Sequence, residues 1–520
     1  MTIRILAIIV CLFLNACLKV GPNYQEPKKE IASHWLENNS PTIKKSPIQN
    51  AHWWQVFNDS TLIALIHYGY QHNLSLQTTA VRVLQARAQL AQTVGSLYPQ
   101  QQAITGNYTY NRLGGQSLEA VLPPSFDTAL LGLSASWELD FWGKYRRAIA
   151  SNDAAFLASF AAYDNALVTL TADIATSYIG IRTTEELIRV TQKNIQIQTL
   201  ALQIAKARFH GGQTSLLDVQ QAQTELSQTE SMLPNYTSEL QHQKDTLAVL
   251  LGLTPDKIDP FLIKKQGIPK APLNVAVGIP KEALAKRPDI AQARLQAIAQ
   301  SEAIGAVKAN LYPAFSLLGT FAFASNNIGT STVGSLFDWQ NFTMTSGPSV
   351  NWPILNYGQI TNAVRTQDAV FQQALLNYLN LVLQAQQEVQ DNITQLIESK
   401  KAEQFLMTAN SSAIQSTQLA LIRYREGESN YTAVLDSERQ QLQVQTLLTN
   451  AQGDIPKALV ALYRALGGGW QLHQGNDIVP EMIKKEMAAR SNWGTLLKEQ
   501  NHEPPTTKAQ QIKERFLPNW

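Results

Sequence analysis

Trp137-Glu138-Leu139-Asp140-Phe141-Trp142-Gly143 is answered 215 residues later by Trp352-Pro353-Ile354-Leu355-Asn356-Tyr357-Gly358. The same displacement lays Arg208-Phe209 on Arg423-Tyr424, Gly212 on Gly427 and Leu251-Gly252 on Leu466-Gly467, without a gap. Upstream, a displacement of 214 carries Leu97-Tyr98-Pro99 onto Leu311-Tyr312-Pro313. The period is too long for a solenoid unit. It reads as an internal two-fold repeat, one module used at 61–252 and again at 282–467.

Just before each tryptophan the hydrophobic period changes from helical to two. Leu131, Leu133, Ala135, Trp137 and Leu139 alternate with Gly132, Ser134, Ser136, Glu138 and Asp140, so one face is oily and the other wet. Phe342, Met344, Val350 and Trp352 alternate with Thr343, Thr345, Ser349 and Asn351 in the second copy, and weaker partners lie at Ile104, Tyr108 and Tyr110 and at Phe315, Leu317, Phe321 and Phe323. The spacing predicts a β-hairpin over 100–140 and another over 314–352. Strands near ten residues match the roughly 9–11 that cross a bilayer when tilted. Trp137, Phe141, Trp142, Trp352 and Tyr357 fall at strand ends, where an interfacial girdle would hold them. A soluble sandwich edge with an aromatic core is the alternative. Four strands cannot close a barrel, and lipid does not tolerate open sheet edges. Membrane insertion therefore requires several chains to share one barrel.

After each second strand the helical period returns. Between Lys144 and Arg208 there is no proline and one glycine, Gly180, and the stretch from Gln359 to Arg425 has neither in its interior. About 65 helical residues span roughly 100 Å. Both runs end at glycine-bearing turns, Phe209-His210-Gly211-Gly212 and Tyr424-Arg425-Glu426-Gly427, and return as helices to Gly252 and Gly467. These are long helical hairpins over 144–252 and 359–467, with Pro234 and Pro456 expected to bend or restart the return helices. They should pack side by side into a wall. The run Gln384, Gln386, Gln387, Gln390 and Asn392 suits either a coiled-coil surface or a water-filled lumen.

Composition agrees with such surfaces. Only 16% of the 520 residues are charged while 44% are hydrophobic, so the remaining polarity falls to Gln, Asn, Ser and Thr. A net charge of +2 gives no electrostatic case for nucleic acid. The amino end, a basic start at Arg4 and an apolar run from Ile5 to Leu14, is too short for a permanent span and reads as a signal peptide, 1–16. It closes on Leu14-Asn15-Ala16-Cys17, which resembles a bacterial lipobox and implies cleavage before Cys17 and a covalent lipid on its sulfur. Leu18 follows, without the acidic residue that retains lipoproteins in the inner membrane. With Cys11 in the signal, one cysteine remains and no internal disulfide can form.

Residues 17–60 read as a lipid-anchored extended arm, anchored by Trp53, Trp54 and Phe57 and followed by a helix capped by Asp59 or Ser60. Gln71-His72-Asn73 divides the next helical run into two. The proline-rich stretch 253–281 reads as a linker, and 468–520 as a peripheral C-terminal extension whose composition predicts disorder in its last part.

Together these pieces resemble the TolC-like outer-membrane factors, and within them the NodT-type efflux lipoproteins. The residues that carry the likeness are Cys17 through Tyr24, Arg287-Pro288-Asp289-Ile290, the two Tyr-Pro pairs, Leu216-Leu217-Asp218-Val219 and Ala433-Val434-Leu435-Asp436. The resemblance implies a mixed α and β fold: a membrane β-barrel shared by a homotrimer, four strands per chain, continuous with a long α-helical barrel. It implies an outer-membrane location with a long periplasmic extension. The function implied is a passive gated exit duct for drugs or other small molecules. An inner-membrane transporter of the resistance-nodulation-division type would deliver them through a periplasmic adaptor. It places a periplasmic gate at the helical-hairpin tips, Gly211, Gly212 and Gly427, with Asp218 and Tyr424 as a linked pair and Asp436 in a carboxylate ring. Ser429 stands where some relatives have a linking arginine, and Ala433 where another acid would stand. A duct for type I protein secretion, or a structural periplasmic coiled-coil lipoprotein, are the alternatives.

An enzyme is disfavoured. The chain has no GxSxG elbow, no HExxH, no phosphate-binding glycine loop and no cysteine-based metal spacing. No catalytic residue, metal site or cofactor is expected beyond the lipid on Cys17, and the substrate and the particular pump are not written in the residues.

Overall fold

The computed structural model describes residues 19–37, 40–44, 51–114, 123–263, 267–272, 274–329, 332–474 and 477–498. The signal peptide, Cys17 and the last part of the C-terminal extension lie outside the described residues. In chain order the elements are β1 (Ile43–Lys44), α1 (Ser60–His72), α2 (Leu74–Gly95), β2 (Gln101–Arg112), β3 (Ser125–Leu139) and α3 (Lys144–His210). Next come α4 (Leu216–Glu230), α5 (Met232–Leu250), α6 (Asp259–Leu262), β4 (Val275–Ala276), α7 (Pro280–Ala285) and α8 (Pro288–Lys308). The chain ends with β5 (Ala314–Asn326), β6 (Phe342–Asn351), α9 (Gln359–Glu426), α10 (Tyr431–Ala465) and α11 (Glu481–Arg490).

Local chemistry sets the boundaries. The Asp59 carboxylate accepts from the amides of Thr61 and Leu62, so it caps α1. Asn73 closes α1 through its own amide and opens α2 by accepting from Leu76. Gly143 and Gly358, at φ 75° and 82°, let the chain turn from strand into α3 and α9, conformations a Cβ would oppose. The two long helices, 67 and 68 residues, each reach about 100 Å. Pro234 stands in the first turn of α5, where the return helix restarts after Ser231. At Pro456 there is no restart: α10 runs on through it, and three residues earlier Gly453 lies directly against Thr183 of α3.

The four longer strands form one antiparallel sheet in the order β2-β3-β5-β6. β3 pairs with both β2 and β5, so the two hairpins are one surface. Along the helical layer α3 packs on α2 and α8 near the sheet, and on α4, α5 and α10 further out, while α9 packs on α8 and then on α10. Four helices therefore stand abreast at each level.

The main core lies midway along this layer, around Trp53, Trp54, Tyr163, Ile174, Tyr178 and Leu459, and a second cluster sits at the tips of the helical hairpins. Trp53 and Trp54 are buried, as anchors must be. Arg287 of the Arg-Pro-Asp motif is buried at the head of α8. Its guanidinium reaches Asp289 at 2.7 Å, Glu388 of α9 at 2.8 Å and the carbonyl of Ala465 at the end of α10 at 2.6 Å. One side chain thus ties three helices.

The amino-terminal arm lies along the helices. Buried Arg147 donates to the carbonyls of Val20 and Gly21 and to Asn23. Glu26 meets Arg294 and Tyr378, and Trp35 donates to the Gly278 carbonyl. Gln386 and Gln390 accept from the amides of Ala32 and Leu36, so part of the glutamine run is the seat of the arm. β1 pairs in parallel with β4 of the 253–281 stretch, which also carries α6 and the start of α7. That stretch is built structure, tied to the arm, more than a linker.

Candidate functional site

Two surfaces are the candidate sites, the sheet and the hairpin tips. Across the four strands Ile104, Leu133, Phe321 and Met344 fall in one row, directly paired through successive ladders. All four are exposed, Ile104 at 78% and Met344 at 57%. The adjacent row, Ala103, Ser134, Thr320 and Thr345, is small and hydroxylic and faces the other way. An apolar band of this kind has no covering layer among the described residues and suits lipid, and the neutral hydroxylic face suits water. No helix among the described residues is long and apolar enough to cross a membrane. At the sheet's helical end Trp137 Nε1 donates to the Leu97 carbonyl at 3.0 Å, and Trp352 Nε1 donates to that of Leu311 at 3.1 Å, the matched residues of the two halves. Val20 lies there too, its amide on the Trp142 carbonyl, so the lipidation candidate Cys17 precedes a segment docked beside the apolar band.

At the far end α3 turns into α4 and α9 into α10. Gln213 and Glu428 each return a backbone bond of 2.8 Å, to the carbonyls of Arg208 and Arg423, closing both helices alike. Gly212 and Gly427 hold the left-handed conformations at φ 68° and 87°, whereas Gly211 sits at −78°. Only two of the three tip glycines are conformationally required.

The Tyr424 hydroxyl donates to Asp218 Oδ2 at 3.0 Å, joining the two neighbouring hairpins. Thr214 donates to the same carboxylate. The Arg208 guanidinium lies 4.6 Å over the Tyr424 ring and donates to the Tyr424 carbonyl. Burial, then the bond to the Asp218 anion, push the Tyr424 phenol up to about 12, so it stays a donor at any physiological pH. Asp436 is exposed on the second turn of α10, outside this contact. Ser429 is half-buried in the turn that precedes α10.

Behind the pair lies a set of residues that the sequence reading did not single out. Tyr431 stacks edge-on against Tyr424 at 5.3 Å and points its hydroxyl at Glu438 Oε2, 3.5 Å away. Glu225, buried on α4, receives Arg439 at 2.7 Å. The available signal was spacing: Asp218 and Glu225, and Tyr431 and Glu438, are seven residues apart and so share helix faces. Among the described residues no cluster of three or more His, Cys, Asp or Glu side chains could hold a metal.

A sheet with an apolar face, continuous with a helical wall and joined by polar contacts at its far tips, has the build of a channel-forming outer-membrane protein. The sequence model described as outer membrane efflux protein matches residues 65–253 and 279–468, and the chain belongs to that family. Its members are channels, not enzymes, and this chain is an outer-membrane efflux channel. It is 30% identical over 443 residues to the pyoverdine export outer membrane protein OpmQ of Pseudomonas putida, covering 83% of this chain and 91% of that one. It is 26% identical over 473 residues to the probable outer membrane lipoprotein SilC of Salmonella typhimurium, covering 90% and 99%. The solved outer-membrane channel OprN, 27% identical, superposes with a TM-score of 0.80 over 87% of this chain and all of its own.

Proposed function

We propose that three copies of this chain assemble into a gated exit duct, a twelve-stranded barrel in the outer membrane continuous with a twelve-helix periplasmic tunnel. The observation that carries it is the four-stranded sheet, apolar on one face, whose outer strands β2 and β6 have no strand partner among the described residues beyond β3 and β5. Lipid does not tolerate such edges, and pairing β2 of one copy with β6 of the next removes them. Four helices abreast per chain fit the same threefold closure. The two halves, 61–252 and 282–467, are then one duplicated module. The arm is tethered by a lipid on Cys17, in line with the lipoprotein name of a relative. An inner-membrane pump, of the resistance-nodulation-division type, delivers small molecules through a periplasmic adaptor that meets the tips. Asp218 and Tyr424 hold the tips closed, and three copies of Asp436 add negative field at the mouth.

The test uses the full chain with Cys17→Ala behind a leader that still exports it. Heat-modifiable trimers in the outer-membrane fraction, conducting in planar bilayers, are the expected result. A wholly soluble monomer refutes the barrel.

A further inference from the structure

The buried carboxyl of Glu438 is surrounded in an unusual way. It lies on α10, 2% exposed, and its Oε1 has no hydrogen-bond partner, while Oε2 has only the long contact from Tyr431. Glu225 faces it from α4, itself 4% exposed. Arg439, the next residue along α10, extends outward and is paired with Glu225. Tyr424 of α9 lies beyond Tyr431 with its hydroxyl turned to Asp218, and the guanidinium of Arg208 of α3 lies on the Tyr424 ring. Also from α9, Thr417 donates to the Ser437 carbonyl beside it. Two carboxyls thus share an interior in which no cation pairs with Glu438 among the described residues, and a second buried anion with an unpaired oxygen is strongly disfavoured.

Resting on the gate reading above, we propose that Glu438 is a positioning residue of the gate: it carries a proton in the closed tip, and losing that proton loosens Tyr431 and, through it, the Tyr424–Asp218 contact. Tyr431 is the link, touching Glu438 with its hydroxyl and Tyr424 with its ring. Burial first, and then the Glu225 charge, raise the Glu438 carboxyl from its ordinary 4.5 to about 7. Because the closed state holds the proton more tightly than an opened, solvated one, closure is favoured fully below about 4.5 and the advantage is lost as pH rises through about 7.

Full-length trimers of the unaltered chain, Glu438→Gln, Glu225→Gln and Asp218→Ala/Tyr424→Phe are compared in planar bilayers from pH 4.5 to 8, with thermal melting followed alongside. The unaltered channel should open more as pH rises, by at least about tenfold, one unit of pKa difference between closed and open states. Glu438→Gln should stay at the low-pH level throughout, and Glu225→Gln should move the rise to lower pH. Superimposable profiles for the unaltered chain and Glu438→Gln overturn the proposal, and an open double variant in the same series leaves the gate reading standing. A double variant no more open than the parent overturns the gate and with it the positioning role. Should Glu438→Gln not assemble, Glu225→Gln decides, and an unshifted rise overturns the proposal. Melting that falls with pH only while Glu438 is present supports the buried proton, and parallel melting curves overturn it.

Discussion

Replacing Tyr424 by Phe removes one hydroxyl and leaves the rest of its setting in place: the Arg208 guanidinium over the ring and the edge-on contact with Tyr431. What is lost is the 3.0 Å bond to Asp218, a neutral donor on a half-buried carboxylate that Thr214 continues to hold. A bond to an ion contributes about 1.5–3 kcal/mol when well buried, and partial exposure brings this one to about 1–1.5 kcal/mol. That is roughly a five- to tenfold change in the closed-to-open ratio for each hairpin pair. Asp218→Ala should do more, because the Thr214 bond and an acid favoured in the first turn of α4 go with it. The double variant should be no more open than Asp218→Ala alone, since the shared bond can be lost only once. Single-channel open probability in planar bilayers measures all four corners of this cycle at one pH. Effects that simply add, or a Tyr424→Phe channel as closed as its parent, refute the contact as a latch.

The remaining predictions test scaffold and membrane. Arg287→Leu leaves Asp289 and Glu388 without their cation and the Ala465 carbonyl without a donor, so trimers should lose about 3–5 kcal/mol in denaturant melts. Arg287→Lys should recover little of it, lacking the planar fork. Gly212→Ala should destabilise by about 1 kcal/mol while Gly211→Ala leaves melting unchanged, because only the first sits at positive φ. Leu133→Arg should cost about 2–4 kcal/mol and lower trimer yield in the outer membrane, whereas Ser134→Arg on the opposite face should be tolerated and change ion selectivity.

The strands and long helices were legible because each obeys a period that one face of water or lipid imposes. Alternation over Leu131 to Asp140 marks the sheet before any pairing is known, and the absence of proline and glycine marks α3 and α9. Three things escaped. The seat of the arm was hidden because Gln386 and Gln390 serve backbone groups some 350 positions away, and a glutamine carries no mark of its partner. The β1–β4 pair is two residues long, too short for a period. Pro456 is buried inside α10, which runs on through it, so a rule that reads only the local residue placed a restart where there is none. At the tips Asp218 and Tyr424 came from resemblance, and their contact is a matter of geometry.

Overlaying the two halves sharpens why the tips matter. At the displacement of 215, Tyr424 falls on Phe209, Asp218 on Ala433, Tyr431 on Leu216, Glu225 on Gln440 and Glu438 on Gln223. Tyr424, Asp218, Tyr431, Glu225 and Glu438 therefore each have a counterpart that cannot ionise, while Thr214 keeps a hydroxyl counterpart in Ser429, and Arg208 with Arg423 and Gly212 with Gly427 are kept. A scaffold needs its counterparts alike, as the paired Trp137 and Trp352 bonds are. A latch needs them different, because identical hairpins would offer donors to donors and acids to acids across each junction. The chemistry is placed where the two halves diverge: the counterpart of buried Glu438 is Gln223, exposed on α4, and glutamine is the neutral isostere of glutamate. Glu438→Gln therefore asks about the proton with little change of shape.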